Sequence, residues 1–79
     1  MSYMTYHFTA WLFNNIDMDD IDFIDSAYEV LNDSMIGVSG GYSFVDFSRT
    51  ASSLDDAMAS AEDDLNSLGL TVLRWGGCQ

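Results

Sequence analysis

From Tyr3 to Phe13 the chain alternates. Met4, Tyr6, Phe8, Ala10 and Leu12 fall on one side of an extended backbone, and Thr5, His7, Thr9, Trp11 and Phe13 on the other. A period of two, rich in aromatics, predicts a strand. Asn14 and Asn15 interrupt it, and the apolar period then lengthens. Ile21, Ile24, Ala27, Tyr28 and Leu31 recur every three or four residues, the buried stripe of a helix. Asp17 or Asp19 can cap this helix, which is expected to run to about Asp33. Period two returns in Met35 to Val38 and Tyr42 to Arg49. Between them, Ser39, Gly40 and Gly41 supply a tight hairpin turn that needs positive φ. On the return strand Val45 and Phe47 are expected to point inward, and Tyr42, Phe44 and Asp46 outward. Leu54, Ala57, Met58, Ala61, Leu65 and Leu68 mark a second helix. Ser53, with Asp56 three residues on, forms a short-armed capping box at its start, and Gly69 is placed to end it. Leu70 to Trp75 reads as a last strand, and residues 76–79 as a flexible tail.

Strand, helix, strand, strand, helix, strand specifies one α+β domain over residues 1–79. The expected fold is a ferredoxin-like βαββαβ sandwich with a four-stranded antiparallel sheet. Right-handed crossovers put both helices on one face and leave the other face uncovered. A chain of 79 residues has room for one domain. Hydrophobic residues make up 48% of it and aromatics 14%, too many for an acidic disordered tail. So small a domain has little stability in reserve, so Phe8, Trp11, Phe13, Phe23, Phe44, Phe47 and Trp75 must pack efficiently.

Charge narrows the function. Thirteen acids face two bases, Arg49 and Arg74, with no lysine, for a formal charge of -11. Self-repulsion at that charge weakens a compact state. The acids follow the helical period: Asp19, Asp22, Asp25, Glu29 and Asp33 on the first helix, and Asp55, Asp56, Glu62, Asp63 and Asp64 on the second. With both helices on one side of the sheet, they form an anionic plate. An ordinary solvated helix face mixes both signs and gains pairs four residues apart; these helices carry acids alone. Early acids such as Asp19, Asp55 and Asp56 are compensated by the helix dipole, and late ones such as Asp33, Asp63 and Asp64 are not.

Several functions are excluded by chemistry. Nucleic-acid affinity comes largely from lysine and arginine displacing counterions, so free nucleic acid is not an expected ligand. No stretch is long and apolar enough for a membrane helix, and anionic lipid repels an anionic protein. A calcium loop counted from Asp17 puts Phe23 where glycine is needed and Tyr28 where the bidentate glutamate belongs. His7 and Cys78 alone cannot build a zinc site. No acid pair or serine–histidine arrangement stands out, so no catalytic residue, cofactor or metal is expected. One cysteine permits no intrachain disulfide, and a reducing cytoplasm is the expected compartment.

The uncovered sheet face is a second candidate. Trp11, Phe13, Tyr42 and Phe44 concentrate there with Thr5 and His7. RNA-recognition motifs stack bases on such a face but add basic residues that this chain lacks. A protein interface fits better, in a monomer docking to a partner or in a homodimer packed sheet to sheet.

Two resemblances add to this reading. Val45 to Arg74 resembles the second half of a small bacterial domain often followed by a helix-turn-helix. The VDF-R-A strand end, the SL-DA helix start and the LGL-V-R strand carry the likeness. The chain ends at Gln79 with no such segment, so no DNA contact of its own is expected. In size, acidity and single-domain form the chain is similar to phage-encoded anti-CRISPR proteins and other DNA mimics. That resemblance implies a partner with a basic nucleic-acid channel, such as a CRISPR-Cas effector subunit, met in the host bacterial cytoplasm. The leading expectation is therefore a non-enzymatic inhibitor acting through the ten helix acids named above. The alternatives are an interaction or dimerisation module using the aromatic sheet face, and an antitoxin-like inhibitor of a basic protein.

Overall fold

A computed structural model describes residues 3–77; Cys78 and Gln79 of the expected tail lie outside the described residues. The order is β1 (Met4–Leu12), α1 (Ile21–Val30), β2 (Ser34–Ser39), β3 (Tyr42–Ala51), α2 (Leu54–Ser67) and β4 (Val72–Gly76). The four strands form one sheet in the order β2-β3-β1-β4, and every neighbouring pair is antiparallel. The architecture is α+β, a four-stranded antiparallel sheet with two helices.

Alternation in β1 sends Phe8, Ala10 and Leu12 into the core, where Val45 and Phe47 of β3 and Ile36 of β2 join them. Ala27 of α1, Leu31 just after it, and Ala57, Ala61 and Leu65 of α2 belong to the same buried cluster, so both helices cover one face. Alanines at three of these helix positions let the helix backbones lie close to the sheet. Phe8 stacks on Phe47 with centroids 5.2 Å apart and meets Trp75 edge-on at 5.5 Å. Ser43 is the one buried polar side chain among the described residues, and its Oγ accepts from the Ile16 N–H.

The helix ends follow local chemistry. Ser53 Oγ accepts from the Asp56 N–H and caps α2. Asp56 does not complete the reciprocal box; its carboxylate accepts from the Ser52 hydroxyl instead. After α2, Gly69 takes φ 79°. Its N–H reaches the Asn66 carbonyl, and the Leu70 N–H reaches the Leu65 carbonyl, which satisfies the last turn. Gly40 and Gly41 both have positive φ in the β2–β3 turn, the twist a two-residue hairpin requires.

Five expectations are corrected. Asp20, rather than Asp17 or Asp19, caps α1 by accepting from the Phe23 N–H; Asp17 shapes the preceding turn through the Asp19 N–H. The helix ends at Val30 rather than near Asp33, because the Leu31 N–H closes the last turn onto Ala27. Ile21 is 70% exposed; it opens the helix, and Phe23 packs against the core in its place. Gly76 is a strand residue paired with Thr9, and β4 starts at Val72 rather than Leu70.

Candidate protein-interaction surfaces

Twelve of the thirteen acids lie on the helices or in the segments that lead into and out of them; the thirteenth, Asp46, lies on β3. Three on α1, Asp22, Asp25 and Glu29, are exposed and separated by three and four residues, about 4.5 and 6 Å of axial rise. Asp55, Asp56, Glu62 and Asp63 are exposed along α2, and Asp19 is exposed before α1. Neither helix has a basic residue in its last turn.

Asp33 and Asp64 are half-buried and differ from the other eight candidates. Arg49, on the core side of β3, donates from Nε and Nη2 to the two carboxylate oxygens of Asp33 at 2.7 and 3.0 Å. Its Nη1 lies 3.0 Å from Asp64 Oδ2 and 3.1 Å from Ser60 Oγ. One guanidinium thus ties the α1–β2 turn, strand β3 and helix α2 together. The hydrogen bonds that Arg49 donates to Asp33 hold its pKa above the ordinary arginine value; burial opposes this, and the charges of Asp33 and Asp64 add to it. The bond between helices and sheet was not legible from Arg49 as a strand end. The only signal was its rarity, one of two bases among thirteen acids.

On the other face of the sheet, β1 and β3 match side chain to side chain. Thr5 faces Thr50 with hydroxyls 3.0 Å apart, and His7 Nδ1 lies 2.9 Å from Ser48 Oγ. Thr9 donates its hydroxyl to Asp46, and Trp11 leans on Phe44 with centroids 5.2 Å apart. The Trp11–Phe44 rung crosses all four strands. Gly37 of β2 lies beneath Phe44, where an added Cβ would come within 2.5 Å of the ring. At the other end the Arg74 guanidinium sits 5.4 Å from the Trp11 ring centre. A bulge in β4 inserts Leu73 beside Arg74. Trp11, Ser39, Tyr42, Leu73 and Arg74 line a shallow cavity of about 290 Å³ at this end. Phe13, past the end of β1, is 72% exposed and Tyr42 is 55% exposed. Sequence reasoning placed the aromatics on this face but missed Arg74 and Leu73, because the bulge that sets their register is a pairing property.

Among the described residues, the only acid on this face is Asp46 and the only base Arg74. Its formal charge is nil, and the whole of the -11 belongs to the helix side and its flanking turns. Among the described residues, no group of three or more histidine, cysteine or acidic side chains is placed to hold a metal ion, and no helix is long and apolar enough to cross a membrane. No protein-family model, curated protein or solved structure matches the chain.

Proposed function

We propose that the protein is a non-enzymatic inhibitor whose helix side imitates nucleic-acid phosphates and occupies the basic channel of a nucleic-acid-binding protein, a CRISPR-Cas effector complex in the leading form. The observation that carries this reading is the segregation of charge: twelve of the thirteen acids lie on the two helices or their flanking turns, and the base that reaches them, Arg49, is already engaged by two of them. Spacings of about 4.5–6 Å along a helix lie within the range of neighbouring phosphates, given about 3.4 Å of rise per nucleotide and the offset around the duplex. A cationic channel would attract such a plate at long range and lose access to DNA once it is filled. Asp22, Asp25, Glu29, Asp55, Asp56, Glu62 and Asp63, with Asp19 at the margin, are the contact residues in this reading; Asp33 and Asp64 position the plate through Arg49. The ferredoxin-like description of the sandwich belongs to the same proposal. The element order and the central placement of β1 and β3 support it.

The test is restoration of plaque formation. Cells with an active CRISPR-Cas system are challenged with a targeted phage while expressing the protein. Wild type should restore plaques, and Asp25→Lys with Glu29→Lys should not, with its circular dichroism unchanged. Full restoration of plaques by the double variant would refute the phosphate-mimic reading. Plaques lost equally with Tyr42→Ala would move the contact to the sheet face.

A further inference from the structure

We propose that the open sheet face is a self-association surface, on which two copies pack sheet to sheet with their acidic helices turned outward. Electrostatics singles out this face. A twofold contact through the helices sets one carboxylate-rich surface against another, and like charges across a contact are unfavourable. The open face alone is formally neutral.

It is also self-complementary, as a twofold contact requires. Its centre is the Trp11–Phe44 rung, flanked by the exposed Tyr42 and Leu73 on one side of the aromatic patch and Met35 on the other. Its two charges are of opposite sign and lie on different strands, Asp46 on β3 and Arg74 on β4. A twofold axis running along the strands between β1 and β3 lays Trp11 over Phe44 of the second copy. It carries Arg74 toward the second copy's β2–β3 side, where Asp46 lies one rung away. Sheets packed in this way sit about 10 Å apart and cross at about 30°.

Size limits the strength. The nine residues of β1 and the four-strand width correspond to a face on the order of 500 Å² per copy, so about 1,000 Å² is buried in total, the low end for a specific interface. The dimer is therefore weak and concentration-dependent. It leaves both acidic plates free, so it does not depend on what those plates bind.

Sedimentation equilibrium tests the proposal. Wild type should shift from monomer to dimer as concentration rises. Dimerisation should strengthen when salt is raised from about 0.05 to about 0.5 M, because residual repulsion between the two acidic sides is screened; binding of a basic partner to the helix side responds in the opposite direction. Tyr42→Asp and Leu73→Asp replace exposed side chains. Each should raise the dimer dissociation constant at least about tenfold by placing an unpaired charge in the contact, with circular dichroism confirming the fold. The proposal is overturned by a wild-type monomer at every concentration and salt, by a dimer indifferent to both substitutions, or by a dimer that weakens with salt. A monomer whose Trp11 face is instead protected by a different protein would also overturn it and assign the surface to that partner.

Discussion

At the scale of single side chains, Arg49 meets Asp33, Asp64 and Ser60 and lies 5.1 Å from the Phe47 ring centre. Replacing it leaves two half-buried carboxylates facing each other across the helix–sheet junction. Loss of one partner from a buried pair costs about 3–5 kcal/mol, and the partial exposure of Asp33 and Asp64 reduces that to about 2 kcal/mol for Arg49→Met. Arg49→Lys keeps the charge and loses the two-pronged grip on Asp33, so about half of that loss is expected. Urea denaturation measures both. Because its pKa is raised on folding, the contribution of Arg49 is complete below the ordinary arginine range and fades only as pH rises through the higher folded value. The difference between wild type and Arg49→Met should therefore be level from about pH 7 to about pH 10. Gly37 is the second informative residue. Gly37→Ala forces the Phe44 ring off the β2 backbone, at about 1 kcal/mol. The same substitution should cost nothing in a Phe44→Ala background, and a double-mutant cycle reads the difference.

Among elements, α2 carries the clearest conflict between stability and charge. Ser53 and the acids Asp55 and Asp56 suit its N-terminus. Ser53→Ala should lower stability by about 1 kcal/mol. Glu62 and Asp63 extend the same sign toward the C-terminal half, where the helix dipole favours cations and no base lies in the last turn. Glu62→Lys with Asp63→Lys should therefore stabilise the fold by about 0.3 kcal/mol at each site, read as a rise in the thermal midpoint. In the phosphate-mimic reading the same variant loses inhibition. A gain in stability together with a loss of activity would separate charge kept for binding from charge kept for solubility. Strand β2 is the matching case on the sheet. Its outer edge is exposed, and Tyr28 from α1 covers part of it by accepting the Ile36 N–H at 3.1 Å, which blunts one site for unwanted strand pairing.

Across the whole molecule, the net charge comes from the helices and their flanking turns, and the open sheet face adds none. Self-repulsion on the helix side is relieved when the chain unfolds and the acids spread apart. Raising salt from about 0.05 to about 0.5 M should thus move the urea midpoint upward with little change in slope. A midpoint that falls with salt would mean that the Arg49 ion pairs outweigh the repulsion. With the two functional tests, salt has three readouts: fold stability and self-association rise, and partner binding falls.

Local hydrogen bonding and hydrophobic period were enough to read the elements from the chain. Ser53, Gly69 and the Gly40–Gly41 turn act within a few residues, and the inward Val45 and Phe47 follow from alternation alone. The carboxylates at 17, 19, 20 and 22 compete as caps with nearly equal chemistry, so the choice of Asp20 depended on how the helix docks. Tertiary structure alone decided that Arg49 would reach Asp33 and Asp64 from sixteen and fifteen residues away, that Gly76 would pair with Thr9, and that Arg74 would lie across Trp11. Each of these depends on which strands become neighbours, and strand pairing is settled by burial of the common core rather than by any short segment.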